Sequence, residues 1–170
     1  MDHSPTLLIV WHSRTGTAKA MAQAVRLGAH KIAQQLDALD SMRIIACHAS
    51  KAKAEMLCAA DGIVLCAPEN LGSVSGIMKE FFDRNYYECL DQLNGKPYAL
   101  LIAAGSDGTG ALRQMQRICT GWRMRAISEP LIVVTGAQTA QAIQAPKALT
   151  APDRQRCEEL GGLLAALLAQ

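Results

Sequence analysis

Leu7-Leu8-Ile9-Val10-Trp11-His12-Ser13-Arg14-Thr15-Gly16-Thr17-Ala18 joins five apolar residues to a loop of hydroxyls, one arginine and one glycine. A helical pattern follows at once: Met21, Val25, Ile32, Leu36 and Leu39 recur at helical spacing, which predicts a helix over residues 17–39. The strand is apolar at every position rather than at alternate ones. Such a strand belongs to a parallel sheet covered by helices on both faces. Between strand and helix, hydroxyls and the free N–H groups of a helix start offer the donors that a phosphate needs. The same residue types also serve as ordinary helix caps.

The alternation repeats outward from this unit. Apolar runs predict strands over residues 43–47, 62–67, 98–104 and 131–134, the second of these four stopped by Pro68. Helical patterns fall between and after them, over residues 50–60, 75–93, 109–125 and 151–168, with Ser50 expected to cap the first of these four. Five βα units in series read as a doubly wound α/β domain spanning residues 1–170. The expected sheet is parallel and five-stranded, in the order 2-1-3-4-5. Residues 135–150, rich in Gln and Ala, form one long connection without an assignment.

Composition narrows the function. Half of the 170 residues are apolar and 19% are charged, so the chain can build a full core. A net charge of +2 gives no case for nucleic acid or an anionic membrane, and 4% aromatic content leaves no base-stacking platform. The longest apolar runs fall short of the ~20 residues of a bilayer span. The N-terminal residues lack the basic region of a secretory signal. Six cysteines without a CxxC pair suit a reducing compartment, and the expected location is cytoplasmic.

In an open α/β sheet, ligands bind beyond the C-terminal strand ends. The loop after the third strand is Pro68-Glu69-Asn70-Leu71-Gly72-Ser73-Val74-Ser75-Gly76, and the loop after the fourth is Gly105-Ser106-Asp107-Gly108-Thr109-Gly110. Glycines and small polar residues there let backbone approach a flat ligand closely. The first loop lacks the Gly-Lys-Ser/Thr ending of a Walker P-loop and the GxGxxG of a dinucleotide site.

These three segments together resemble a known family. Residues 8–25 (LIVWHSRTGTAKAMAQAV) are similar to the first phosphate loop and helix of flavodoxin-like proteins. Residues 61–84 (DGIVLCAPENLGSVSGIMKEFFDR) resemble the second flavin loop and helix of the Trp-repressor-binding-protein type of NAD(P)H:quinone reductase. Residues 95–110 (GKPYALLIAAGSDGTG) look like its third flavin loop. The wider group is that of flavodoxin-like, FMN-dependent NAD(P)H oxidoreductases. The resemblance implies that Ser13, Arg14, Thr15, Gly16 and Thr17 hold the FMN phosphate. It implies that Pro68, Glu69, Asn70, Leu71 and Gly72 flank the isoalloxazine, with Gly105, Ser106, Asp107 and Gly108 on its other edge. Two departures stand out: Thr17-Ala18 where the family often has Asn-Thr or His-Thr, and Leu71 where an aromatic is common.

The function so implied is transfer of hydride from NAD(P)H through FMN to a quinone or flavin acceptor. The cofactor carries that chemistry, which suits a chain with no evident side-chain nucleophile or base. The alternatives are a flavodoxin-type electron carrier, against which the positive net charge counts, and a non-catalytic FMN-binding module. Family resemblance also implies a homodimer or homotetramer.

Other signals have simpler readings. Cys119 and Arg125 fit the C-x5-R spacing of cysteine phosphatases, but the spacing lies in a helical pattern rather than a strand–loop–helix, so Cys119 reads as core. Arg113 and Arg117 share a helical face that can attract an NADPH phosphate or simply face solvent. Glu80, Asp83 and Arg84 read as a solvent side. His12 sits at the presumed site, where it can bond the flavin or pack the loop, and no His/Cys/carboxylate cluster has metal-ligand spacing.

Overall fold

The structure, a computed structural model, describes residues 4–170. Met1, Asp2 and His3, which entered the reading of the N-terminus, lie outside it. Strands β1 (Thr6–Trp11), β2 (Arg43–His48) and β3 (Gly62–Asn70) alternate with helices α1 (Thr17–Gln35) and α2 (Ala54–Ala59). After β3 come the two-residue β4 (Ser73–Val74), α3 (Gly76–Asn85), β5 (Pro97–Ala104) and α4 (Thr109–Gly121). The chain ends with β6 (Arg125–Ala126), β7 (Leu131–Val134), α5 (Ala140–Gln144) and α6 (Ala151–Leu168).

The sheet runs β2-β1-β3-β5, and β5 carries both β6 and β7 on its outer edge, all parallel. Taking β6 and β7 as one broken edge strand, this is the expected 2-1-3-4-5 order. Alternate residues of β1 feed opposite faces, as a pleated strand requires. Leu8 and Val10 join Ile63, Leu65, Phe81, Phe82 and Trp122 in the core facing α3 and α4. Leu7 and Ile9 join Val64, Met21, Val25 and Leu164 in the core under α1 and α6. Both strand faces are therefore buried, which is why β1 shows no polar alternation.

Several boundaries differ from the sequence reading, each for a local reason. Helix α1 stops at Gln35 because Asp37 adopts φ +53° and the Ala38 N–H turns back to Ala33 O at 2.8 Å. Helix α3 ends at Asn85 and gives way to turns, and α4 ends at Gly121 ahead of Arg123 at φ +54°. Ser50 does not cap α2; its hydroxyl lies 2.7 Å from His48 Nδ1, and Lys53 holds the cap position. Pro68 does not stop β3. Cys66 O, which accepts from His12 N–H at 3.0 Å, points toward β1, and Pro68 two residues on points the same way, beyond the last residue of β1. Its missing N–H costs no ladder bond there, so β3 continues to Asn70 and folds back as a hairpin with β4.

Helices α1 and α6 cross in direct backbone contact. A Cβ on Gly28 would stand 1.9 Å from Glu158 O, and one on Gly161 would stand 1.9 Å from Val25 O. Only glycine permits that approach. No helix among the described residues is long and apolar enough to cross a membrane.

Candidate functional site

At the C-terminal edge of the sheet, the loops after β1, β3 and β5 converge on an open cleft of about 170 Å³. Ser13, Arg14, Thr15 and Thr17 line one end, Pro68, Glu69 and Asn70 a second side, and Ala103, Ala104 and Gly105 a third. The sheet order creates this crevice, because β1 and β3 send their connections in opposite directions at the switch point.

The first loop is shaped for an anion. Gly16 precedes α1 in a left-handed conformation at φ +102°, and its N–H donates to Ser13 Oγ at 3.1 Å. Helix α1 has no side-chain cap and no acidic residue in its first turn. Its first N–H groups therefore lack intrahelical partners, and the positive end of the helix is uncompensated. Thr17 is only 4% exposed, yet its Oγ1 has no hydrogen-bond partner among the described residues. Buried hydroxyls are nearly always bonded, so this orphan on the cleft wall marks the place of an absent acceptor. A phosphate monoester fits that donor set.

Glu69 has a task that its motif did not disclose. Oε2 accepts from Gly108 N–H at 2.7 Å, and Oε1 accepts from Gly110 and Ala111 N–H at 3.0 and 3.1 Å. The carboxylate thus caps α4 across 39 residues and ties the second loop to the third. Gln114 Oε1 adds a tie by accepting from Val74 N–H at 2.9 Å. Gly110 lies so close to Gly72 O that a Cβ would come within 2.0 Å. Leu71, at φ +53°, is fully exposed at the hairpin tip, outside the cleft lining. Gly72, Ser106, Asp107 and Gly108 also stand outside the lining. Gly108 instead starts α4 at φ +92°, and Asp107 accepts from Thr109 Oγ1.

His12 is buried, and its Nδ1 lies 2.7 Å from Ser75 Oγ, joining the end of β1 to the residue before α3. Burial lowers its affinity for a proton below that of an ordinary imidazole, and the neighbouring His48 and Arg14 add to the effect. His12 is thus a packed bridge between loops. Arg84 is not simply a solvent-side residue. Besides its ion pair with Glu80, it donates to Ala49 O and Ala52 O at 3.0 and 2.8 Å. Cys119 is packed inside α4 with its thiol pushed up to about 12 by burial, which leaves no phosphatase nucleophile there. Arg113 and Arg117 are exposed on α4 and do not line the cleft. Among the described residues, no three His, Cys, Asp or Glu side chains group as a metal site.

The remaining wall comes from residues 135–150. Thr135, Ala137, Ile143 and Lys147 all line the cleft. The Lys147 N–H donates to Thr15 O at 3.0 Å, fastening this segment to the first loop. Sequence reasoning missed it because α5 spans just 5 residues, too few for a period to show. One signal was present: Lys147 is the sole charged residue between Thr135 and Thr150.

The sequence pattern of the NADPH-dependent FMN reductases matches residues 8–139, which include all three loops. The chain belongs to that family. It is thereby a member of a group of flavodoxin-like oxidoreductases whose chemistry uses FMN and NADPH. Among curated relatives, a flavodoxin of Aquifex aeolicus is 31% identical over 104 residues, 61% of this chain and 52% of that protein. An NADPH azoreductase of a Bacillus species is 36% identical over 77 residues, 44% of this chain and 42% of that enzyme. The chain thus spans about half the length of the curated relatives it matches. Its fold is similar to that of an archaeal flavodoxin, with a TM-score of 0.76 at 19% identity over 97% of this chain and 99% of that one. It also resembles a WrbA-like protein of Agrobacterium tumefaciens, with a TM-score of 0.64 at 18% identity over 97% and 98% of the two chains.

Proposed function

We propose that this family member binds FMN in the cleft and oxidises NAD(P)H, passing the reducing equivalents to a quinone or flavin. The observation that carries the reading is Thr17 Oγ1, a buried donor without a partner at an uncapped helix start. Ser13, Thr15 and Thr17 hold the phosphate through hydroxyls and the N–H groups that follow Gly16. Arg14 adds positive charge at the rim. Pro68, Asn70 and Gly105 flank the ring system. Glu69 positions both flanking loops through its three backbone bonds. Leu71, Gly72, Ser106 and Asp107 shape the rim, with Leu71 leaving the outer ring face uncrowded, and the buried Gly108 starts α4 behind them. Bound FMN supplies the hydride and electron chemistry, so the chain needs no nucleophile of its own.

The test is a flavin titration followed by anaerobic mixing of the loaded protein with NADH or NADPH, then turnover with a quinone. Bleaching of the flavin absorbance by either nucleotide is the expected result. Since one open face serves both substrates in turn, double-reciprocal plots should be parallel; intersecting lines refute the shared face. A loaded protein that oxidises neither nucleotide with any acceptor is a carrier or a binding module instead.

A further inference from the structure

We infer that Lys147 is a phosphate-selecting residue: its ammonium closes the phosphate site from outside the three loops and makes it prefer a flavin carrying a phosphate monoester over one without. The inference rests on the FMN reading above. Lys147 lines the same cleft as Ser13, Thr15 and the unpartnered Thr17. Its backbone is fastened to the first loop by the N–H, which donates to Thr15 O at 3.0 Å, and its carbonyl lies near Gly16, where a Cβ would meet it at 3.4 Å. Its Nζ donates to Ile143 O and Ala145 O, each at 2.9 Å. An ammonium has three N–H donors, so two hold the end of α5 and one is left over.

Among the described residues, no carboxylate is paired with it. The acidic residue that shares the cleft, Glu69, has both oxygens on the start of α4. The two carbonyls attract the ammonium but do not neutralise it. A dianion beside Thr17 would supply the missing charge, and a charge-assisted bond from a preorganised ammonium is stronger than a neutral one. Lys147 thus couples two tasks in one side chain, bracing the wall and countering the ligand.

Binding of FMN and of riboflavin, measured by quenching of flavin fluorescence, separates these tasks. Three proteins are compared: the parent, Lys147→Met and Lys147→Arg. Met keeps the length and apolar stem, and Arg keeps the charge. The expected result is about a tenfold loss of FMN affinity in Lys147→Met, the size of a lost charge-assisted hydrogen bond. Riboflavin affinity should be unchanged, and Lys147→Arg should retain most of the FMN preference. Equal losses for both flavins, or none for FMN, overturn the inference and leave Lys147 a brace alone. If Lys147→Met does not fold, Lys147→Gln and inorganic phosphate decide the matter: the inhibition constant of phosphate against FMN should be lower on the parent than on Lys147→Gln, with Arg113→Ala as the control that behaves like the parent, and equal constants on the parent and Lys147→Gln overturn the assignment. A parent that binds neither flavin refutes the FMN reading itself, and this inference falls with it.

Discussion

Replacing Glu69 with Ala should loosen the cleft without touching the loop after β1. The carboxylate is the acceptor for three N–H groups at the start of α4, at 2.7, 3.0 and 3.1 Å. Loss of a helix cap costs about 1–2 kcal/mol. Removing a negative charge from a helix N-terminus adds about 0.3–1 kcal/mol. Gly108 is buried, and an unsatisfied buried donor adds about 1 kcal/mol more. The expected destabilisation is about 3 kcal/mol, or a melting temperature lower by about 6–12 °C in a chain of this size. Glu69→Gln keeps an acceptor but not the charge and should fall between Ala and the parent. Thermal unfolding measures the total, and hydrogen exchange at Gly108, Gly110 and Ala111 localises it. Asp107→Asn is the control, since Asp107 is exposed and accepts from the exposed Thr109 hydroxyl, and it should melt like the parent. If Glu69→Ala melts within about 2 °C of the parent with those three amides still protected, the clamp is not what holds the second and third loops together.

Three further outcomes follow from the same geometry. Thr15→Glu puts a carboxylate beside the uncapped start of α1 and should abolish FMN binding while riboflavin binding falls less; equal FMN affinity would move the phosphate elsewhere. His12 is disfavoured as a cation in the folded state, so its contribution to stability is complete above the ordinary histidine value of 6.5 and is lost as pH falls below it. His12→Asn should flatten that part of the stability–pH curve, and an unchanged curve assigns the acid sensitivity to another group. Leu27 and Leu163 remain exposed beside the α1–α6 crossing, and a homo-oligomer that covers them should appear by light scattering at micromolar protein; a monomer there rejects it.

The strand–loop–helix unit from Leu7 to Val25 was legible because each of its parts has its own signature: a two-faced apolar run, hydroxyls with glycine, and a helical period. Strand order followed from the same logic repeated. Pro68 misled because proline breaks a strand only where a neighbour needs its N–H, and the end of β1 two residues earlier in register is not visible in composition. Ser50 looked like a cap, but a histidine two residues before it offered a nearer partner. Glu69 lines the cleft at the sheet edge to which its motif pointed, while its bonds to Gly108, Gly110 and Ala111 depend on a contact between loops that no local pattern encodes. Lys147 showed only as a lone charge in its segment, and its place at the cleft was hidden for the same reason. Its relation to Thr15 spans 132 positions, and the short helix it closes carries no readable period.

The glycine crossing of α1 and α6 gives the site a remote gauge. Helix α1 begins at the first loop of the cleft, and α6 begins just after the segment that carries Lys147. Both of these walls of the cleft are therefore free ends of beams bolted together at Gly28 and Gly161. Gly28 lies 11 residues along α1 from Thr17, about 16 Å at helical rise. A side chain added at the bolt would splay the beams, and the error would be read at their far ends as a wider gap between Thr17 and Lys147. Ligand affinity would then report a substitution that touches neither ligand nor loop.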